Sequence, residues 1–161
     1  MVVTANTRPL DAEERTMSST EFTVHTSLSP SAVMVLFTDF GPDRASRWPN
    51  IDEAHFKVHD QGPGWAEVTE GNKMGWERER YSWDEAAGTV TIDTLDSNLW
   101  GPGSQWRYQL TAAGGGTDVQ VRLTRVPKSL VGRVIGALLP IVGGRTLGKQ
   151  FQTVLRRAEA A

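Results

Sequence analysis

Cysteine is absent from the 161-residue chain, which excludes a disulfide scaffold, a thiolate metal site and a cysteine nucleophile. Long apolar runs are missing as well. The longest, Val134 to Val142, has nine residues, too few to span a bilayer. Residues 1–19 lack the basic start, apolar centre and small-residue cleavage site of a signal peptide. With Asp11, Glu13, Glu14 and Arg15 among few apolar neighbours, they read as a mobile tail, and either Met1 or Met17 fits as the starting residue. A cytoplasmic protein is expected. No Gly-x-Ser-x-Gly elbow occurs, no His-Glu-x-x-His pair, and no Gly-Lys-Ser/Thr follows a glycine cluster, so hydrolase and nucleotide chemistry are disfavoured. No cofactor or metal is expected.

What remains is enough chain for one core. At 17.7 kDa a single domain over 20–161 buries roughly 69% of the surface its unfolded chain exposes. The net charge of −2 conceals an asymmetry: residues 1–119 hold 9 basic and 18 acidic side chains, residues 120–161 hold 8 and 1. The two parts therefore carry −9 and +7, a split that bears on partners. A globally basic nucleic-acid binder is excluded, and nucleic acid is not an expected partner. Six Trp imply large apolar surfaces in a core or against a ligand.

The apolar period changes twice along the chain. From Thr20 to Leu28 it is two, with Phe22, Val24, Thr26 and Leu28 on one face of a half-buried strand. Ser29-Pro30 then reads as N-cap and first helical residue, and Val33, Leu36, Phe37 and Phe40 make a helical stripe. Gly41-Pro42 stops that helix, and a second short one ends before Trp48-Pro49. From Glu53 the period is two again, with Phe56 and Val58 alternating against His55, Lys57 and His59. Further strands are expected over 65–70, 75–83, 89–95, 104–110 and 118–126, separated by glycine-rich turns. This spacing indicates an antiparallel meander. The last thirty residues are helical: Leu130, Val131, Val134, Ile135, Leu138 and Leu139 cover half a circumference. Pro140 and Gly143-Gly144 should kink or break the helix. Leu147, Phe151, Val154 and Leu155 continue it opposite Arg145, Lys149 and Arg156.

The expected class is α+β: a curled seven-stranded antiparallel sheet around a long C-terminal helix, with two short helices between strands 1 and 2. A curled sheet needs apolar cover on its concave side. The terminal helix alone is long and apolar enough, and the space enclosed is an apolar pocket. This layout resembles the START-like (SRPBCC) superfamily, in its polyketide cyclase/dehydrase and lipid-transport branch related to the Bet v 1 type of helix-grip fold. Carrying the resemblance are Ser29-Pro30-Ser31-Ala32-Val33, Phe37-Thr38-Asp39-Phe40, Trp48-Pro49-Asn50, the glycine turn before Thr117-Asp118-Val119-Gln120-Val121, and the kinked terminal helix, over about residues 20–158. It implies a cavity for a lipid, polyketide or isoprenoid-like molecule. It assigns no catalytic residue.

On this scheme Phe22, Val24, Phe56, Val58, Val90, Ile92, Trp106 and Tyr108 line the sheet side, and Leu147 and Phe151 the helix side. Binding or transport of a hydrophobic small molecule is the leading function; a cyclase, aromatase or dehydratase in the same cavity is the alternative. For the latter, acid/base candidates are Glu77, Glu79, Tyr81, Arg78 and His25. Period two puts Glu77, Glu79 and Tyr81 on one face of their strand and Trp76, Arg78 and Arg80 on the other, and either face could be the inner one. Trp65, Trp83 and Trp100 lie near strand ends, at the expected rim. His55 and His59, four apart, would chelate on a helix; in a strand they stand about 13 Å apart, too far for one ion. Arg145, Lys149 and Arg156 fall within about 40° on the last helix. They are either a solvated face or a contact for an anionic membrane. A third class, an interaction module binding an acidic partner through 120–161, would show steep salt dependence.

Overall fold

The computed structural model describes residues 17–161, and the expected tail up to residue 16 lies outside the described residues. Strand β1 (Ser18–Thr26) begins two residues before the apolar alternation. Helix α1 (Pro30–Thr38) starts as its sequence dictates: Ser29 Oγ accepts the Ala32 N–H at 3.2 Å, and Pro30 takes the first position. Its Val33, Met34 and Phe37 are buried, while Leu36 and Phe40 pack at the margin of the same cluster. The chain reverses where Asp39 accepts the Gly41 N–H at 3.0 Å, and α2 (Arg44–Arg47) is a single turn ending at Trp48.

Six strands follow: β2 (Lys57–Gly62), β3 (Trp65–Gly71), β4 (Trp76–Asp84), β5 (Thr89–Ser97), β6 (Gln105–Ala113) and β7 (Gly116–Arg125). They form one antiparallel sheet of seven in the order β1-β7-β6-β5-β4-β3-β2. The meander is simple except that β1 returns to pair with β7, Phe22 opposite Val121 and Val24 opposite Val119.

One segment departs from the expected period. Glu53–His55 is a 3₁₀ turn rather than strand, because Asp52 caps it by accepting the His55 N–H at 2.8 Å. His55 and His59 therefore do not share a strand face. His55 Nδ1 lies 2.6 Å from Asp52 Oδ1, and His59 Nε2 lies 2.7 Å from Thr69 Oγ1.

The terminal helix divides into α3 (Leu130–Leu138), a wide π turn over Leu139–Gly143, and α4 (Gly144–Glu159). Pro140 cannot donate to the helical ladder, and the widened turn absorbs it without breaking the rod. Phe151, Val154 and Leu155 of α4 are buried, with Gly148 set against the Phe22 ring. Glu159 fastens the far end, accepting from Thr26 Oγ1 at 2.6 Å and the Ser27 N–H at 2.9 Å.

Only α4 covers the sheet as expected. The apolar stripe of α3 points outward: Leu130, Val131, Val134, Ile135 and Leu138 are exposed, as are Ile141 and Val142 of the π turn. The face turned to the protein is the small one. A Cβ at Gly132 would overlap the Leu99 carbonyl oxygen, so the backbones touch there. Leu139 alone of the expected α3 stripe is buried.

Gly132→Ala should lower stability by about 1–3 kcal/mol, because α3 must lift off the Leu99 carbonyl. Gly136→Ala should be neutral or stabilising, since its nearest neighbour would stand 3.5 Å away and alanine is the better helix former by ~1 kcal/mol. Urea unfolding of both variants checks the contrast.

Candidate functional site

Strand register decides what faces α4. Phe22, Val121, Tyr108 and Val90 lie abreast on β1, β7, β6 and β5. Leu123, Trp106, Ile92 and Tyr81 form the next row, from β7 to β4. Farther along, Glu79 stands between Val68 and Thr94, and Glu77 between Glu70 and Ser97. The concave surface thus changes along its length from apolar to charged, and a cavity of about 490 Å³ lies over it.

Aromatic rings build one end. Phe37 of α1 packs on Tyr108 with centroids 4.4 Å apart and on Phe151 at 5.8 Å. Trp48 stacks on Phe151 at 6.2 Å and 13°, and Trp106 on Tyr108 at 5.9 Å and 13°. Trp48 Nε1 is the one fully enclosed side-chain nitrogen or oxygen without a partner among the described residues.

Two buried ion pairs build the other end. Arg44, 1% exposed, donates from Nε to Glu70 Oε2 at 2.9 Å and from Nη2 to Glu70 Oε1 at 3.2 Å. Its Nη1 reaches the carbonyls of Leu36, Phe37 and Asp39, and Nη2 also reaches the Tyr81 oxygen at 2.9 Å. The Tyr81 hydroxyl donates to Glu70. Arg125 grips Glu77 from Nη1 at 3.0 Å and Nη2 at 2.7 Å, and Thr94 Oγ1 donates to the same carboxylate at 2.7 Å. Trp100 and Trp106 stand 5.0 and 5.3 Å from the Arg125 guanidinium carbon. Glu79, 6% exposed, lies between these pairs along β4.

Burial works against the charge on Arg44, but Tyr81 and Glu70 facing it more than offset that and raise its pKa. Burial pushes the Glu79 carboxyl well above the usual range, and the Glu77 and Glu70 carboxylates push it further. Burial likewise raises the Tyr81 and Tyr108 hydroxyls, with Glu70 and Glu79 respectively adding to it. The wall thus sets two ion pairs beside a carboxyl and two hydroxyls whose ionisation burial disfavours.

Of the expected lining residues, Phe22, Ile92, Trp106, Tyr108, Leu147 and Phe151 border the cavity. Val24 and Val90 are buried in the core cluster and Val58 packs against it. Phe56 is half-buried at the end of the 3₁₀ turn, outside both cavity wall and core cluster. The inner face of β4 carries Glu77, Glu79 and Tyr81. Arg78 pairs with Glu67 and is half exposed, and His25 meets Asp118 at 2.7 Å, also exposed. Trp65 lies 4.3 Å from the Arg80 guanidinium carbon, Trp83 packs near Phe40 at 6.3 Å, and Trp100 is buried. None of these three borders the cavity.

Arg44, Trp48, Glu70 and Arg125 were not expected at the site. Two were legible: Glu70 continues the inward set Ala66 and Val68, and Arg125 continues Val119, Val121 and Leu123. Nothing in the local pattern marks Arg44, which reaches the sheet because the α1–α2 turn carries it there.

Arg44→Met strands the buried Glu70 carboxylate and should cost about 3–5 kcal/mol, whereas Arg44→Met with Glu70→Leu should recover most of that loss. A double-mutant cycle in urea measures both.

No family model matches the sequence, and no curated protein does. Solved structures do resemble it. A START superfamily protein from Mycobacterium smegmatis superposes with a TM-score of 0.68 at 17% identity, over 89% of this chain and 98% of that one. The Zhui aromatase/cyclase from Streptomyces sp. R1128 gives 0.61 at 14%, over 89% and 87%. Ara h 8.0201 gives 0.57 at 16%, over 90% and 99%. With seven antiparallel strands in an unclosed sheet and the long terminal helix gripped across it, the chain has the helix-grip fold of START-like proteins.

Proposed function

We propose that the protein binds a hydrophobic small molecule, of lipid, polyketide or isoprenoid type, inside the cavity between the sheet and α4. The observation that carries this reading is the cavity of about 490 Å³, with stacked aromatic rings at one end and buried charges at the other. Its size suits a small ligand. Burial of apolar ligand surface supplies about 25 cal/mol per Å² before association costs, and the charged end orients the molecule.

A cyclase or dehydratase reaction in the same cavity is the second reading. It is favoured by the proton-carrying groups on the wall, Glu79 and Tyr81, and by the fold likeness to an aromatase/cyclase. Such chemistry works by holding a flexible chain in a reactive shape. Arg78 and His25 stand outside the cavity lining and are not candidates for it.

Purified protein examined by native mass spectrometry should carry a small apolar molecule, or should take up fatty acids, quinones or polyketides with a change in tryptophan fluorescence. Leu147→Trp, at the half-buried helix side of the cavity, should weaken uptake about tenfold or more while melting near the wild-type temperature. Protein that is empty and indifferent to every such ligand refutes the proposal.

Contact with an anionic membrane through α3 extends the carrier reading. By length and composition Leu130–Glu159 could cross a bilayer, but α4 is held on β1, leaving α3 and the π turn as the lipid-facing part. Leu130 and Ile141 are 77% and 78% exposed. Residues 126–158 hold six basic and no acidic side chains. Apolar insertion beside cations is the pattern of an interfacial helix, and Arg145, Lys149 and Arg156 are exposed on its continuation. Each cation near an anionic surface contributes about 1 kcal/mol. The protein should co-sediment with vesicles containing phosphatidylglycerol and less with pure phosphatidylcholine; Val134→Asp should abolish this and leave ligand uptake unchanged. Equal binding to both vesicles, or to neither, overturns it.

A further inference from the structure

The cavity wall contains three carboxyl groups, Glu70, Glu77 and Glu79, and two buried guanidinium groups, Arg44 and Arg125. Both guanidinium groups are committed. Arg44 spends its donors on Glu70, Tyr81 and three backbone carbonyls, and Arg125 holds Glu77 from both Nη atoms. Glu70 and Glu77 are thereby matched one to one. Glu79 accepts a hydrogen bond from no donor among the described residues, although it is as buried as they are.

A buried carboxylate with neither cation nor donor is costly, and this one also faces two like charges. Among the groups enclosed at this end, Arg44 and Arg125 against Glu70, Glu77 and Glu79, the charge closes at zero only if Glu79 keeps its proton, the Arg157 guanidinium being exposed to solvent. A protonated carboxyl is a donor. Around it stand Glu77 and Tyr81 on β4, Glu70 on β3, Thr94 on β5, Tyr108 on β6, Arg125 on β7 and Arg44 on α2; Arg157 borders the same cavity from α4 and is exposed. The Tyr108 hydroxyl, too, makes no hydrogen bond among the described residues. The Glu79 proton lies within reach of the Glu77 carboxylate, which already accepts from Thr94 and Arg125. A ligand oxygen therefore competes with Glu77 for it. Together with the Tyr108 hydroxyl, the polar capacity left at the wall is proton-donating. A cationic ligand would have to approach two guanidinium groups and find one carboxylate. A neutral ligand with an acceptor oxygen meets a wall that is already neutral.

We propose that Glu79 is the specificity-determining donor of the cavity, selecting neutral apolar molecules that present a carbonyl-type acceptor oxygen at the charged end. This rests on the ligand-binding reading of the cavity and adds the chemical class. Its sign with pH follows. The Glu79 carboxyl is held above the ordinary range by burial and then by Glu77 and Glu70. The donor is present below that raised pKa and lost as pH rises through it, when a negative charge takes its place. Tyr108, raised by burial and then by Glu79, stays neutral throughout.

The test compares two rigid probes of similar shape, 9,10-anthraquinone and anthracene, by quenching of tryptophan fluorescence between pH 6 and pH 10. At pH 6 the anthraquinone-to-anthracene affinity ratio of the wild type should exceed that of Glu79→Leu by about tenfold, the worth of one buried hydrogen bond. The wild-type ratio should fall on the alkaline side. Glu79→Gln, a neutral donor at every pH, should keep the ratio and lose the pH dependence. Both variants remove a group that is difficult to bury, so they should melt no lower than the wild type at pH 8. If anthracene binds but the ratio is the same in wild type and Glu79→Leu, or Glu79→Gln titrates as the wild type does, the role of Glu79 is overturned alone. If neither probe binds any form, the cavity reading falls and takes this proposal with it.

Discussion

A single guanidinium holds the wall of the cavity together. Arg44 accounts for the C-terminal carbonyls of α1, for the Glu70 carboxylate on β3 and for the Tyr81 oxygen on β4, while the Phe40 ring lies 4.5 Å from its guanidinium carbon. Helix ends leave carbonyls that must find donors, and a helix laid against a sheet buries them away from water. Satisfying them with a fixed cation requires an anion nearby, and Glu70 supplies it from the sheet. The aromatic end depends on this arrangement, because Phe37 and Trp48 are placed by the same two short helices.

The second pair, Arg125 with Glu77, repeats the solution on the opposite side of the sheet's inner face, joining β7 to β4 across the intervening strands. Between two closed pairs, any further ionisable group must be neutral or matched by something from outside. That is the position of Glu79. Structure and chemistry meet at this point: the same burial that makes ion pairs poor contributors to net stability makes an unpaired carboxyl a proton carrier.

The alternation of apolar residues was a sound guide to the strands because side chains on a strand can only alternate, and the Ser29-Pro30 entry read correctly because its cap is local. The division of β4 into two faces was equally legible, but not which face turned inward. Hydrophobicity alone argued against placing Glu77 and Glu79 inside, and Arg125, the partner of Glu77, comes from 48 positions away in the chain. Glu70 and Arg125 were within reach of the period-two pattern, each ending an inward apolar run. His55 misled for a local reason: the Asp52 cap curls the chain before β2 begins.

Apolar periodicity by itself determined seven strands, two short helices and a long terminal helix, since each such pattern follows from backbone geometry within a few residues. It could not say which side of α3 would meet the protein. The stripe of Leu130, Val131, Val134, Ile135 and Leu138 has the form of a buried face, yet Gly132 and Gly136 make the contact. Only the tertiary arrangement chose between them, because backbone approach at Leu99 is a matter of clearance between distant segments. The same holds for the cavity. Its rings were visible in the chain from the start, but its charge balance exists only where β3, β4, β7 and α2 converge.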